Sequence, residues 1–351
     1  MSRFMCCFGG GSSSKVVQDP EELPEPTSDE EGFVQFQWNE IVEGTENFAI
    51  THLIGRGRVG KVYRCNFPRI HKVGAAKFHD HGIHGDFASL GEFVAEVLTL
   101  READHPNVIK LLGEHCGHEN TILVYQFMPN GSLDHHLFAN ARQVQGLTQP
   151  TRVLDWDTRM RIAVGVAEGL VYVHQGLSSI HRDVNATNIV LDDNFVPKLT
   201  GFGTAAKIAY DEAGVEMQSR VNNINGTEGY LAPETENFGL VSTKSDVYSY
   251  GVFLLELFTG MKAYDRERPD AGEKLTDWLM PLLSLITRLE ESPVVVDVAL
   301  GIKYSAEGSN IIFETARKCL NALPLERPAM DSVETSVREA AAYLVPEEQP
   351  Q

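Results

Sequence analysis

The chain is short of what several function classes require. It has only 30 Lys and Arg residues against 49 Asp and Glu, a formal net charge of -19 over 351 residues. A nucleic-acid partner needs a basic footprint for its phosphates, so that class is excluded. Five cysteines (Cys6, Cys7, Cys65, Cys116 and Cys319) are scattered and odd in number. They form no disulfide framework and no Cys-x-x-Cys metal pair, which suits a reducing compartment. No apolar run reaches the roughly 18 residues of a membrane span, and the N-terminus shows no signal-peptide pattern. Those absences lead us to expect a cytoplasmic chain.

What is present is an ordinary globular balance, 42% hydrophobic and 23% charged, with ample length for a buried core. Residues 1–35 differ from the rest. "MSRFMCCFGGGSSSK" sets Cys6 and Cys7 among Phe4, Met5 and Phe8, and "DPEELPEPTSDEE" then concentrates acids and prolines. This segment holds two basic and seven acidic residues and buries too little apolar surface to offset chain entropy, so it reads as a disordered tail. Ser2 excludes N-myristoylation. Cys6 and Cys7 are candidates for S-acylation, which would bring peripheral contact with the plasma membrane; the plain alternative is tail thiols.

Folded sequence is expected from near Phe48. Short β-rich pieces surround a glycine cluster over 50–77, and "SLGEFVAEVLTL" then spaces Phe93, Val97 and Leu100 as a helix does. "ENTILVYQFM" reads as a strand, and "NGSLDHHLF" as a helix start capped by Ser132. A long helix follows, with Ile162, Val166, Leu170 and Val173 on one face, and "SDVYSYGVFLLELFTG" is apolar enough for a buried central helix. The implied class is α+β: a small β-rich lobe followed by a larger helical lobe.

Three stretches carry chemistry. "IGRGRVGKVYRC" places Gly55, Gly57 and Gly60 before Val62, a spacing that lets a hairpin close over phosphates without Cβ obstruction. Lys77 follows on a strand, where its ammonium could reach phosphates. Glu96 on the next helix is placed to hold it, with Glu92 as the alternative. The third stretch is "IHRDVNATNIVLDDNFVPKLTGFG". Asp183 there can accept the proton of a substrate hydroxyl, and the Asn188 oxygen can ligate a divalent metal. His79, Asp80, His81 and His84 lie close together but lack a ligand quartet, so a metal site there is set aside.

With "GTEGYLAPE", "KSDVYSYGV" and "ERPAM" downstream, residues 49–341 resemble the eukaryotic protein kinases, motif by motif and in order. "FQWNEIVEGTENF" and "LDWDTRMRIAVGVAEGLVYVH" look more narrowly like the plant receptor-like cytoplasmic kinases. The resemblance implies the two-lobed protein-kinase fold with a nucleotide cleft between lobes, and boundaries at 1–35 (tail), 36–48 (lead-in), 49–128 (N-lobe), 129–341 (C-lobe) and 342–351 (C-terminal tail). It implies ATP with Mg or Mn and a Ser/Thr-type site with Asp183, Lys77 and Glu96 as catalytic residues. Ile54, Gly55, Gly57, Gly60, Val62, Ala75, Lys77 and Met128 would line the nucleotide. Tyr125 would be the gatekeeper and Gln126 to Met128 the hinge. Glu234 would pair with Arg327, and Asp246 would brace the catalytic loop. Ser219 and Thr227 fall in the activation segment as regulatory positions, with Arg182 as the partner of a phosphate on Ser219 and the substrate-docking platform as the favoured role of Thr227. Partners in such a family are other proteins: receptor kinases, sister kinases and immune receptors.

The chain departs from that pattern where the metal should sit. Gly201 stands in place of the metal-binding aspartate, and Asn185 in place of a lysine that steadies the γ-phosphate. Val59 replaces an aromatic at the tip of the glycine loop. Losing a principal metal ligand costs ~4 kcal/mol of transition-state stabilisation, roughly a thousandfold in rate. The expectation is a pseudokinase that still binds ATP, with an active Ser/Thr kinase and a nucleotide-free scaffold as its rivals. Restoring aspartate at position 201 is expected to raise transfer if metal ligation is the limiting defect.

Overall fold

The computed structural model describes residues 32–57, 60–79, 87–117, 120–138, 152–268, 272–289 and 295–343. Cys6, Cys7, Val59, Asp80, His81 and His84 lie outside them. Two compact units emerge, Met1–Phe93 with Lys110–Phe127, and Val94–Ile109 with Met128–Gln351.

The first unit is built on a six-stranded sheet. Its strands are β1 (Val34–Gln35), β2 (Leu53–Gly57), β3 (Gly60–Phe67), β4 (Lys72–His79), β5 (Leu111–Cys116) and β6 (Thr121–Gln126). They lie in the order β1-β5-β6-β4-β3-β2, antiparallel except for the β1–β5 pair. Helix α1 (Trp38–Gly44) lies against β3 so closely that a Cβ on Gly44 would meet the Asn66 carbonyl oxygen at 2.3 Å.

Packed sequence is therefore present well before Phe48. Phe33, Val34 and Phe36 are all buried, and Val34 pairs in register with Gly113. The acidic run before them masks a three-residue apolar signal that only long-range pairing makes visible. A Cβ on Gly113 would lie 1.9 Å from the Val34 carbonyl oxygen, so glycine there is what admits β1. Val34, Phe36 and Ile41 then close one core with Cys65, Phe67, Ala76, Ile122 and Val124. Trp38, Phe48, Tyr63 and Phe78 add an aromatic cluster, with Phe48 edge-on to Phe78 at 4.7 Å.

Helix α2 (Phe87–Leu100) buries Phe93, Val97 and Leu100, the face its spacing predicts. The chain after it joins the second unit because Ile109 N–H donates to the Leu199 carbonyl (2.9 Å) and Leu199 N–H to that of Asn107 (2.8 Å).

The second unit contains α3 (Asp134–Leu137), α4 (Trp156–Val171), β7 (Ser179–Ile180), β8 (Ile189–Leu191), β9 (Pro197–Leu199), β10 (Ala206–Lys207), β11 (Ala209–Tyr210), β12 (Glu216–Met217), β13 (Ser219–Arg220), α5 (Pro233–Phe238), β14 (Leu240–Val241), α6 (Thr243–Thr259), α7 (Leu275–Leu289), α8 (Ala306–Cys319) and α9 (Met330–Ala341). Asp155 caps α4 by accepting Thr158 N–H at 2.9 Å. The α4 stripe Ile162, Val166 and Leu170, continued by Val173 in the π-turn that follows, is wholly buried. Every residue of α6 from Ser245 to Thr259 is buried, and Gly260 ends the helix in the left-handed conformation. A helix buried on all sides needs neighbours on all sides, and α4, α7 and α8 are among them. Ser132 does not cap α3. That helix is a single turn, Leu133 occupies the cap without a side-chain bond, and Ser132 lies beside His135 at 3.4 Å. Among the described residues, no helix is long and apolar enough to cross a membrane.

Candidate functional site

In the first unit, strand register sorts the predicted nucleotide residues. Gly55 pairs with Val62, Val62 with Lys77, and Ala75 with Tyr125. Directly paired residues of antiparallel strands project to the same side. Gly55, Val62, Ala75, Lys77 and Tyr125 therefore share one face of the sheet, and the opposite face is the one closed by α1. The Gly57–Gly60 pair ends the β2–β3 ladder, and among the described residues a Cβ on Gly57 would meet nothing closer than 3.9 Å. That open backbone is what a phosphate cradle needs, so these residues fit a nucleotide. Ile54 sits at the bulge between Leu53 and Gly55, half-buried. His79 packs edge-on against Phe93 at 5.4 Å and belongs to the core. Glu92 and Glu96 are both buried on α2, and Met128 is buried where the chain leaves β6.

In the second unit, the loop after β7 is held from beneath. Asp246, fully buried on α6, accepts from His181 N–H (2.7 Å), Arg182 N–H (2.8 Å) and the His174 ring (2.8 Å). Burial alone would raise this carboxyl. The His174 hydrogen bond, the nearby imidazoles and the Arg182 N–H outweigh it and hold the group below its ordinary range. That clamp also secures Arg182 at φ +71, a left-handed conformation unusual outside glycine. Bracing by Asp246 is what the family resemblance implied. His174 was missed, because nothing in its helical spacing marks it.

His181 is buried with one tautomer fixed: Nε2 donates to the Thr200 carbonyl at 2.9 Å, and Nδ1 accepts from Asp183 N–H at 3.3 Å. Phe202 lies edge-on to the His181 ring at 4.5 Å. These contacts fix the backbone on either side of Gly201.

Asp183 is surrounded by donors. Its Oδ1 accepts from Asn185 Nδ2 (3.0 Å) and the Thr227 hydroxyl (2.8 Å), and its Oδ2 from Asn188 Nδ2 (2.9 Å). Asn185, where a cation was expected, does two neutral jobs. Its Oδ1 accepts from Thr187 N–H and Asn188 N–H, capping the 3-10 turn at 186–188, while its Nδ2 reaches Asp183 and Thr227. Thr227, expected as a regulatory or substrate-docking position, is thus in direct contact with the candidate base. The two lie 44 residues apart in sequence, too far for any spacing rule to find.

Ser219 lies on β13, paired with Val241 of β14. The Arg182 guanidinium donates to the carbonyls of Thr204 at 2.8 Å and Asn223 at 3.4 Å, and among the described residues its buried Nε has no hydrogen-bond partner. Glu234 and Arg327 form the expected buried pair, bidentate at 2.7 Å on both arms. Tyr230 bridges two regions, accepting Ala186 N–H at 3.3 Å and bonding the buried Glu256 carboxyl on α6. Glu256 also accepts Ala263 N–H at 2.9 Å.

The loop is poor in metal ligands. Gly201 supplies no side-chain oxygen, both Asp183 oxygens are already engaged by neutral donors, and Asn188, whose Nδ2 bonds Asp183, has its Oδ1 beside Gly201 to offer. Among the described residues, no group of three or more His, Cys, Asp or Glu could hold a metal ion.

Comparison with known proteins agrees with the fold. The family model described as "Protein tyrosine and serine/threonine kinase" matches residues 48–337. An Arabidopsis thaliana protein named "Probable serine/threonine-protein kinase PBL5" is 37% identical over 301 residues, 85% of this chain and 67% of that protein. "Receptor-like kinase LIP2" from the same plant is 38% identical over 85% of this chain and 51% of its own length. A third, "Probable serine/threonine-protein kinase PBL7", is 35% identical over 95% of this chain and 84% of its own. The chain thus spans between half and most of the length of these relatives.

Proposed function

The chain belongs to the protein kinase family, of the plant receptor-like cytoplasmic type, and from that premise we propose that it is a signalling regulator that binds ATP but has given up metal-dependent phosphoryl transfer. One observation carries the reading: the position that should offer a metal carboxylate is Gly201, and the residues around it satisfy one another instead. In a working kinase the divalent metal neutralises charge as the phosphoryl bond breaks. Asn185 adds no cation to make up for its loss.

ATP binding is a separate property, and the residues for it are intact. Gly57, between Gly55 and Gly60, offers open backbone to phosphates, and Val62 and Ala75 offer an apolar surface to the base on the face that also bears Lys77. Bound nucleotide would then stabilise one arrangement of the chain for its protein partners. The rival reading, an active Ser/Thr kinase, draws on the retained Asp183 and Lys77 and on the names of the relatives. In it Asp183 would accept the substrate hydroxyl proton.

Transfer of labelled γ-phosphate from ATP, with Mg²⁺ or Mn²⁺, separates the two when the wild-type chain is compared with Lys77→Met. We expect equal background in both, together with an ATP-dependent rise in Tm that the Lys77 variant loses. Transfer that vanishes in Lys77→Met would establish the kinase and overturn the proposal. No thermal response to ATP in either protein would leave a nucleotide-free scaffold.

A further inference from the structure

Gly201 has φ +83 and ψ 36, in the left-handed region. Aspartate and asparagine visit that region more readily than other side-chain-bearing residues, so backbone conformation alone does not bar an aspartate there. Space does. A Cβ built at position 201 would lie 2.6 Å from both Cγ and Oδ1 of Asn188 and 2.7 Å from its Nδ2. Real Cβ contacts are essentially never that short. The carboxamide of Asn188 fills the volume in which any side chain at 201 would begin.

The colliding atoms are the end of a side chain, so Asn188 can step aside only by giving up its own bonds. Its Nδ2 donates to the Asp183 carbonyl (2.8 Å) and to Asp183 Oδ2 (2.9 Å). Its own backbone is held at both ends, N–H to Asn185 Oδ1 at 3.1 Å and carbonyl from Thr200 N–H at 2.9 Å. Moving the side chain would strip a donor from each of two Asp183 acceptors.

We propose that Asn188 is a positioning residue that plugs the space left at Gly201 while its Nδ2 locks Asp183, so that an aspartate restored at 201 collides with it and does not by itself rebuild a divalent-cation site. The consequence for activity rests on the proposed function; the steric coupling of 188 to 201 does not. It reverses the simple expectation that Gly201→Asp revives transfer.

A double-mutant cycle on the full chain tests the coupling. Gly201→Ala adds only the colliding Cβ, and we expect it to lower Tm by about 3 °C or more. In an Asn188→Ala background the collision is gone, and the same change should cost less than about half as much, the remainder being left-handed strain. Should Gly201→Ala fail to fold, rescue by Asn188→Ala supports the plug and no rescue overturns it. Equal costs in the two backgrounds would overturn it as well. Mn²⁺ titrated in the presence of ATP and followed by electron paramagnetic resonance gives a second readout. Gly201→Asp should take up no more Mn²⁺ than wild type, and a gain of one ion per chain would refute the proposal. The two readings fail separately. Phosphate transfer by the wild-type chain would remove the proposed function and leave the cycle standing, whereas additive costs would remove the plug and leave the lack of transfer standing.

Discussion

Glu256 lies in the middle of α6 with a carboxyl that water does not reach. Burial pushes it up from 4.5 to about 8, helped by the nearby Asp134 carboxylate and opposed by Ala263 N–H and Lys262. The folded chain therefore keeps this proton at neutral pH, whereas the unfolded chain releases it near 4.5. The stability it contributes is full below the unfolded value and is lost as pH rises through the folded one. Each pKa unit is worth about 1.36 kcal/mol, so a rise from 4.5 to about 8 amounts to roughly 3–5 kcal/mol lost between those limits. Glu256→Gln keeps an oxygen for Ala263 N–H and cannot ionise. Urea unfolding of both proteins at pH 5.5, 7 and 8.5 reads the difference, with the histidines common to both cancelling. Wild type should lose several kcal/mol more than the variant between the first and last pH. Parallel stabilities across that range would refute the claim that Glu256 is held neutral. The same group bonds Tyr230, which accepts from Ala186 N–H, so ionisation at alkaline pH acts on the catalytic loop as well as on the core.

Two further outcomes follow from packing. Arg327→Met removes one partner of a bidentate buried pair and leaves Glu234 charged and buried, a loss of about 3–5 kcal/mol that denaturant unfolding would register; a change under ~1 kcal/mol would mean the pair is dispensable. Gly113→Ala puts a Cβ 1.9 Å from the Val34 carbonyl. It should release β1, seen as lost exchange protection at Phe36 N–H, which now donates to Glu114 at 2.9 Å. Full protection in that variant would show that the sheet edge yields instead.

Much of the fold was legible because its signals are local. The apolar face of α4 is read from periodicity, and the all-round burial of α6 and the strand of β6 from continuous apolar runs. The order of glycine hairpin, strand lysine and catalytic loop came from the motifs and from what the family resemblance implies. The N-terminal boundary was misplaced because the value of Phe33, Val34 and Phe36 depends on Gly113, which lies far along the chain. The cap of α3 was misassigned because one turn of helix gives too few positions for its phase to be fixed.

At the site, composition of the motifs settled which chemical groups are present and which are missing: a carboxylate at 183, an amide at 185, nothing at 201. No distance along the chain says what those groups do to each other. Thr227 reaches Asp183 only because the segment between them folds back, Asn185 becomes a cap only once the 186–188 turn forms, and Asn188 fills the emptiness at 201 only because Thr200 and His181 fix the backbone there. Residue identity is a property of the sequence. Occupancy of space is a property of packing, and it is packing that turns a missing metal ligand into a closed one.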